Sequence, residues 1–350
     1  MKLEKSSLKQ NKTLQISGSK SISNRLLILE KLFKNIKITN LSNAQDTVLL
    51  KNALREERET VDIHHAGTAM RFLTSYFAIQ DGKTTILTGS KRMKERPIKN
   101  LVTALRTLGA DIQYLENEGF PPLKITGKNI LKSEVDIPAN ISSQFITSLL
   151  LIAGKLENGL TINLQGEITS RSYIEMTLDI LTKFGIKNSF IENTIKVESF
   201  INNHSSVINY EVESDWSSAS YFYSFAAIGR EIIHLKSFFL KSLQGDSAAA
   251  DIYFTFFGVK TVFNGNLMTL EPVDHFVFPE KIILNMNDCP DIAQTVCVTA
   301  TALKIPFEIS GLGTLKVKET DRLAALQNEL KKIGAETEVT ETSIRSFRFS

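Results

Sequence analysis

The sequence is poor in cysteine and contains no long apolar run. Its 350 residues include two cysteines, Cys289 and Cys297, and neither has a second Cys or a His at the spacing of metal ligands. This pattern argues against a zinc site and against a disulfide framework, and it fits a reducing cytoplasm. No stretch approaches the ~18 apolar residues of a membrane span, and Met1–Gln10 has no apolar core. We therefore expect a cytoplasmic protein that is neither exported nor membrane-bound.

The chain also lacks a strong excess of charge of either sign. Its net charge is +3 at pH 7, and the lysines are scattered along the chain, which disfavours a nucleic-acid surface. A hydrophobic content of 42% and a charged content of 23% are ordinary for a globular protein. The length exceeds the roughly 250 to 300 residues at which one core stops growing. We therefore expect two domains, with a boundary near Glu213–Trp216.

Four glycines recur at a nearly constant interval. Each ends a helical pattern after an aromatic or aliphatic residue and precedes a strand-like run: Gly109, Gly185, Gly258 and Gly334. The intervals are 76, 73 and 76 residues. Glycine is common after helices, so coincidence is one interpretation. The regularity favours a repeated unit of about 75 residues in which a helix ends at glycine and a strand follows.

Strand-like and helix-like segments alternate along the chain, which predicts an α/β fold, or an α+β fold with mixed sheets. The predicted strands are 13–16, 35–41, 84–89, 135–137, 160–164, 194–199, 207–212, 231–235, 260–263 and 282–285. The predicted helices are 26–33, 71–79, 97–108, 144–153, 172–183, 217–227, 248–257, 292–302 and 323–333.

The segment Gly18–Arg25 joins a predicted strand to a predicted helix. Glycine allows close backbone approach and serine can cap a helix. Lys20 and Arg25 add full charges to the partial positive charge of the helix N-terminus. Such a turn suits a phosphate or a carboxylate, although a capped turn with two solvated cations is the simpler interpretation.

Similar segments precede the other predicted helices: 66–68, 142–144, 170–173, 215–218, 244–247, 288–291 and 318–322, with Ser142, Ser170, Asp215 and Asp321 among the capping candidates. Capping residues alone explain most of them, at about 1 kcal/mol each. Several also carry basic side chains that a cap does not need: Lys20, Arg25, Arg71, Arg96, Lys318 and Arg322. A repeated unit that directs its helix N-termini at one place would bind several anionic groups. Asp291 and Glu319 would then be candidates for acid–base roles, or simply members of ion pairs.

Six segments occur in the order and approximate spacing found in one enzyme family. They are Gly18–Arg25, Ala66–Arg71, Arg92–Ile98, Ser142–Phe145, Pro290–Asp291 and Val317–Arg322. From about residue 10 to about residue 340 the chain resembles the EPSP synthases. The resemblance implies a two-domain enolpyruvyltransferase fold of repeated βαβαββ units. It places one domain at 20–213 and the other at 1–19 with 214–350.

The resemblance also implies a reaction. The family transfers the enolpyruvyl group of phosphoenolpyruvate to the 5-hydroxyl of shikimate 3-phosphate and releases phosphate, in the biosynthesis of aromatic amino acids. It uses no cofactor and no metal. The expected partners are therefore these two small molecules, with no nucleic acid and no membrane, and we expect a monomer.

The family's functional positions match residues of this chain. For shikimate 3-phosphate they are Lys20, Ser21, Arg25, Ser142, Ser143, Gln144, Ser170, Tyr173, Asp291 and Lys318. For phosphoenolpyruvate they are Lys20, Gly67, Arg96, Gln144 and Arg322. The resemblance implies catalytic roles for Lys20, for Asp291 as acceptor of the 5-hydroxyl proton, and for Glu319 in proton exchange at the methylene carbon.

The chain departs from the family at several points. His65 and Thr314 stand where the family often has asparagine. A His-Asp-His-Arg segment, a later lysine and the last βαβαββ copy do not occur before Ser350, so we predict an incomplete second domain with exposed apolar surface and low or no turnover. One alternative is a truncated, inactive remnant that binds substrate. Another is a UDP-N-acetylglucosamine enolpyruvyltransferase, but the cysteine of that family is absent from Ser90–Arg96.

Overall fold

The computed structural model describes residues 13–33, 36–55, 58–140, 142–200 and 207–349. Met1–Gln10 and the first residue of the predicted strand 35–41 lie outside these ranges. The chain forms two compact units. The first unit contains Gly18–Val212 and Val317–Glu319, and the second contains Met1–Ser17, Glu213–Lys316 and Thr320–Ser350.

Strands and helices alternate through both units. The strands are β1 (Thr13–Gln15), β2 (Ile36–Thr39), β3 (Thr60–Asp62), β4 (Thr84–Thr88), β5 (Asp111–Tyr114), β6 (Leu123–Thr126), β7 (Glu134–Pro138), β8 (Leu160–Gln165), β9 (Asn188–Ile191), β10 (Thr194–Val197), β11 (Ile208–Glu211), β12 (Ile233–Lys236), β13 (Val259–Asn264), β14 (Leu267–Pro272), β15 (Ile282–Asn285), β16 (Phe307–Ser310), β17 (Ala335–Val339) and β18 (Ile344–Phe349). The helices are α1 (Lys20–Phe33), α2 (Gln45–Arg55), α3 (Gly67–Ala78), α4 (Lys99–Leu108), α5 (Ser143–Ala153), α6 (Arg171–Lys183), α7 (Trp216–Gly229), α8 (Ala249–Phe257), α9 (Ala293–Ala302) and α10 (Arg322–Lys332).

The described strands include four sheets of the same design. In the first unit their strand orders are β3-β4-β6-β5 and β7-β8-β10-β9, and in the second β1-β12-β14-β13 and β15-β16-β18-β17. In every sheet the first pair is parallel and the other two pairs are antiparallel. β2 and β11 form a further parallel pair in the first unit. The predicted fold class, with mixed sheets and repeated βαβαββ copies, is confirmed.

The four repeated glycines occupy equivalent places. Each follows the second helix of a copy and precedes the copy's third strand, with φ of 112° at Gly109, 78° at Gly185, 63° at Gly258 and 92° at Gly334. These left-handed conformations end the helix at little cost only when the residue is glycine. The repeat is therefore a structural repeat.

The first helices of the two copies in the first unit, α3 and α5, lie in its core. In the first unit α3 and α5 have one exposed or half-exposed residue each, Phe77 and Gln144, and the rest of both helices is buried. The second unit packs Trp216, Tyr223 and Tyr253 together, with ring centroids 6.2 Å and 5.1 Å apart in the two successive pairs. Each unit therefore has its own core beneath its sheets.

Two helices begin earlier than the sequence pattern predicts. α1 starts at Lys20 instead of Leu26, and α3 starts at Gly67 instead of Arg71. Lys20–Arg25 is therefore the first part of a helix and not a turn before it. Both discrepancies have one cause: polar residues inside these helix starts are buried against neighbouring helices, so they do not interrupt the helix.

Candidate active site

The start of α1 depends on a close backbone contact. A Cβ atom on Gly18 would lie 1.8 Å from the carbonyl oxygen of Asn40, so only glycine fits there. The hydroxyl of Ser19 accepts a hydrogen bond from the Ile22 amide at 3.4 Å and caps the helix. Lys20 is then the first helical residue, and it is half-buried. The predicted serine cap is confirmed at this position.

The side chain of Arg25 is buried and joins three helices. Its Nε donates to Thr177 Oγ1 at 2.8 Å, its Nη2 to the Tyr173 carbonyl at 3.0 Å and to Thr147 Oγ1 at 3.4 Å, and its Nη1 to the Ser21 carbonyl at 2.7 Å. Burial lowers the pKa of Arg25 to about 10. The guanidinium therefore holds α1, α5 and α6 together while remaining charged at neutral pH.

A second buried arginine lies on α3. Arg71 donates from Nη1 to the Gly67 carbonyl and from Nη2 to the Pro97 carbonyl, both at 3.1 Å. Burial, and secondly the charge of Arg96, lowers the pKa of Arg71 to about 9. The start of α3 is thus fastened to the segment that precedes α4, where Arg96 lies.

Arg96 approaches the backbone at the start of α3. A Cβ atom on Gly67 would lie 2.3 Å from Arg96 Nη1, so the glycine makes room for the guanidinium. The Arg96 side chain is 6% exposed, and its Nη1 lies 3.7 Å from Glu319 Oε1. Lys318 is half-buried beside Glu319 in the sequence. Two residues matched to phosphoenolpyruvate and one matched to proton exchange are therefore neighbours.

The starts of α5 and α6 carry the predicted hydroxyl and amide groups. Ser142 Oγ accepts from the Gln144 amide at 3.3 Å, which confirms its cap, and Ser143 is buried. Gln144 Nε2 donates to Thr68 Oγ1 on α3 at 3.5 Å. Ser170 is buried and precedes α6 in a left-handed conformation, without a side-chain capping bond. The prediction of a side-chain cap is wrong there.

Tyr173 lies in the first turn of α6 and is half-buried. Its carbonyl accepts the bond from Arg25 described above, whereas Ser21 supplies the other carbonyl that Arg25 reaches. The predicted ligands on α1 and α6 are thereby connected to each other through one guanidinium.

The second unit contains a separate pair of predicted residues. Arg322 Nη1 lies 3.1 Å from Asp291 Oδ1, and the two side chains are 28% and 25% exposed. Asp291 lies in a short 3-10 helix before α9 that has no side-chain cap. Asp321 caps α10, since its Oδ1 accepts from the amides of Leu323 and Ala324 at 3.1 Å.

Asp46 is a charged residue at the site that the sequence analysis missed. It lies in the first turn of α2, a helix that the apolar pattern does not predict. Burial raises the pKa of Asp46, and its carboxylate interacts electrostatically with Lys20, Glu319 and His65 as well as Arg96. The signal that could have revealed it is an acidic residue at a helix start immediately after a polar loop, 42–45.

The described residues include no group of three His, Cys, Asp or Glu that could hold a metal ion. Both cysteines are buried, and burial raises their pKa values, that of Cys289 to about 12. In the ranges that the structure covers, no helix has the length and apolarity needed to span a bilayer. The side chains of the predicted site residues offer guanidinium, ammonium, hydroxyl, amide and carboxylate groups.

Sequence comparison identifies relatives of this chain. The family model described as EPSP synthase (3-phosphoshikimate 1-carboxyvinyltransferase) matches residues 49–347. A 3-phosphoshikimate 1-carboxyvinyltransferase of Bacteroides fragilis is 45% identical over 325 residues, which is 92% of this chain and 78% of the relative. One from Haemophilus influenzae is 38% identical over 366 residues, 95% of this chain and 82% of the relative.

Structure comparison agrees on the fold. A crystal structure of EPSP synthase from Acinetobacter baumannii superposes with a TM-score of 0.70 at 20% sequence identity, covering 97% of this chain and 82% of that one. An enolpyruvyl transferase from Streptomyces tendae gives a TM-score of 0.67 at 11% identity, with coverages of 96% and 82%. The predicted resemblance is confirmed. The family model matches most of the length of this chain, and the relatives align with more than nine tenths of it. This chain therefore belongs to the EPSP synthase family of enzymes.

Proposed function

We propose that this chain transfers the enolpyruvyl group of phosphoenolpyruvate to the 5-hydroxyl of shikimate 3-phosphate, in the biosynthesis of aromatic amino acids. The products are 5-enolpyruvylshikimate 3-phosphate and phosphate. The observation that carries the proposal is the set of buried guanidinium groups in the first unit, Arg25, Arg71 and Arg96. Burying cations is costly, and anionic substrates bound nearby would offset that cost. Phosphate and carboxylate groups are the anions that both substrates supply.

For shikimate 3-phosphate we propose hydrogen bonds from the polar starts of three helices. The ligands are Lys20 and Ser21 on α1, Ser142, Ser143 and Gln144 at α5, Ser170 and Tyr173 at α6, with Lys318 and Asp291. Because the Arg25 guanidinium is engaged by protein acceptors, we propose that it fixes these helix starts and contributes its charge to the site.

For phosphoenolpyruvate we propose Lys20, Gly67, Arg96, Gln144 and Arg322. A guanidinium has a planar fork that suits carboxylate and phosphate oxygens. The absence of a side chain at Gly67 leaves room for the Arg96 guanidinium beside the start of α3. Gly67 therefore serves the site through its lack of a side chain.

The reaction requires an acid and a base at the same time. Phosphoenolpyruvate gains a proton at C3, which makes C2 electrophilic, while the attacking hydroxyl loses a proton. We propose that Asp291, oriented by its ion pair with Arg322, accepts the hydroxyl proton. Glu319, next to Arg96, exchanges protons at the methylene carbon, and Lys20 acts on both substrates.

A steady-state assay of phosphate release from phosphoenolpyruvate, with and without shikimate 3-phosphate, tests the proposal. We expect release at a low rate, as the sequence analysis predicts, that depends on the second substrate and that falls by at least about 100-fold in Lys20→Met. Lys31→Met, at the exposed far end of α1, is the matched control and should keep wild-type rates. A rate of phosphate release that does not depend on shikimate 3-phosphate would overturn the proposal.

Calorimetry addresses a chain that binds but does not turn over. An enzyme should bind phosphoenolpyruvate once shikimate 3-phosphate is present, whereas a remnant should bind the phosphorylated sugar acid alone. We further propose that the protein acts as a monomer in the cytoplasm. A mass near 39.1 kDa in light scattering would support a monomer, and a mass of twice that value would contradict it.

A further inference from the structure

Arg92 connects the turn before α4 to the backbone of two proposed site residues. Its Nε donates to the Glu319 carbonyl at 3.2 Å, and its Nη2 donates to the Lys318 carbonyl at 3.4 Å. The two carbonyls are consecutive, so one guanidinium spans both of them. Such a contact uses the rigid fork of arginine, which a lysine cannot reproduce.

A third hydrogen bond fixes the orientation of this guanidinium. Arg92 Nη1 lies 3.2 Å from Glu95 Oε2, and the two side chains are 46% and 50% exposed. An ion pair this exposed contributes little to stability. The bond to Glu95 instead orients the guanidinium, so that Nε and Nη2 of Arg92 point at the carbonyls of Glu319 and Lys318.

The same turn also holds the side chain of Glu319. Four residues after Arg92, the buried Arg96 guanidinium lies 3.7 Å from the Glu319 carboxylate. The segment Ser90–Arg96 thus contacts Glu319 twice. Arg92 binds the backbone carbonyl of Glu319, and Arg96 lies beside its carboxylate. A 3-10 helix at Met93–Glu95 fixes the separation of the two arginines.

We propose that Arg92 is a positioning residue for enolpyruvyl transfer. It acts through the backbone of Lys318 and Glu319, so that the Glu319 carboxylate and the Lys318 ammonium keep the directions the reaction needs. This inference rests on the proposed function for the roles of those two residues. An error of about 1 Å in the placement of a reacting group can cost a hundredfold in rate, which sets the size of the expected effect.

The test compares Arg92→Gln, Arg92→Lys and the control Lys94→Gln. Lys94 lies in the same turn, and its ammonium pairs with Glu116 at 2.6 Å instead of reaching residues 318–319. We expect Arg92→Gln to lower kcat by about 10- to 100-fold, with less than a threefold change in KM for phosphoenolpyruvate, and to shift the pH profile of kcat. Arg92→Lys should recover part of the loss, and Lys94→Gln should stay within twofold of wild type.

If Arg92 had a purely structural role, its substitution would not lower kcat while leaving KM nearly unchanged. Wild-type rates and an unchanged pH profile in Arg92→Gln would overturn the inference, as would an equal loss in Lys94→Gln. Thermal unfolding of all three variants should match wild type, and a Tm lowered in Arg92→Gln alone by more than about 5 °C would also count against it.

A second measurement separates this inference from the proposed function. If the wild-type chain shows no turnover, the proposed function fails. Hydrogen exchange followed by mass spectrometry still tests whether Arg92 holds the backbone of Lys318 and Glu319. Peptides that contain residues 318–319 should exchange faster in Arg92→Gln than in wild type or Lys94→Gln. Equal exchange in the three proteins would overturn the inference.

Discussion

The inner helices of both units meet through hydroxyl groups, such as Ser75 with Ser148 in the first unit, but among the described residues only the first unit also buries arginine side chains. In the first unit α1 and α3 bury the cations of Arg25 and Arg71. In the second unit α7 and α9 meet through hydroxyl pairs. These are Ser220 with Thr295 and Ser224 with Thr299, each at 2.8 Å; Tyr253 on α8 also lies 2.8 Å from Thr299.

The difference shows how one repeated copy can serve two purposes. A neutral hydroxyl network is satisfied internally and specifies how its helices pack. Burial raises the pKa of Tyr253, so its hydroxyl stays neutral. Buried guanidinium groups instead carry a desolvation cost, which is why burial lowers the pKa of Arg25 and that of Arg71. We infer that the buried arginines lower the stability of the first unit and supply positive charge near its helix starts.

The largest expected effect comes from removing a buried cation. Arg25→Met keeps the apolar stem but removes the guanidinium that donates to the carbonyls of Ser21 and Tyr173 and to the hydroxyl of Thr177. The Tyr173 carbonyl still accepts a bond from Thr177 Oγ1 at 2.8 Å. We expect the free energy of unfolding to fall by about 3 kcal/mol, since hydrogen bonds to charged groups contribute about 1.5 to 3 kcal/mol each and part is recovered as desolvation. Urea unfolding measures the loss.

The matched control for that substitution is Arg171→Met on α6. Arg171 pairs with Glu175 at 2.7 Å on the surface, and an exposed pair of this kind is worth less than about 1 kcal/mol. If Arg25→Met unfolds like wild type and loses only substrate affinity, Arg25 is a ligand without a structural role. The contrast between the units would then disappear.

The partners of Arg25 also show where sequence reasoning stops. Its location at a helix start follows from Gly18–Arg25, but Thr147 and Thr177 are 122 and 152 residues away. Nothing in a local pattern indicates that three helices meet at this side chain. The repeat, by contrast, was predictable, because glycine at positive φ leaves a mark in the sequence itself.

Two of the missed elements, α2 and β9, have a weak apolar pattern. α2 buries only Thr47, Leu50, Ala53 and Leu54, and its other residues are polar or exposed apart from the half-buried Leu49. β9 has four residues that are half-buried or exposed, too few to show an alternation. Ser142, Asp215 and Asp321 were predictable as caps because the signal is local. Asp46 could not be assigned to the site, because α2 itself was not predicted.

A smaller effect is expected from the hydroxyl network of the second unit. Thr299→Val keeps the shape of the side chain but removes the hydroxyl that lies 2.8 Å from both Tyr253 Oη and Ser224 Oγ. Leaving Tyr253 without this buried partner should lower the free energy of unfolding by about 1 to 2 kcal/mol. Thr255→Val, on the exposed side of α8, should change it by less than about 0.5 kcal/mol. A loss as large as that of Arg25→Met would contradict the distinction between the two networks.

The smallest effect is expected at Asp46, and it depends on pH. Burial raises the pKa of Asp46 above the model-peptide value of 3.8, even though Lys20, His65 and Arg96 act in the opposite direction. Between the unfolded and the folded pKa the folded chain binds more protons, so this carboxyl makes unfolding easier as pH rises through that window.

Asp46→Asn removes that dependence. We expect the variant to exceed wild type in the free energy of unfolding at pH 7, and the difference to shrink as the pH falls and to vanish below about pH 3, where Asp46 is protonated in both states. Asp81→Asn, at an exposed position, is the matched control for replacing a carboxylate by an amide. If Asp46→Asn is less stable than wild type at pH 7, the cations around Asp46 outweigh its burial. The positive charge of the first unit would then be balanced within the protein and would not await a bound anion.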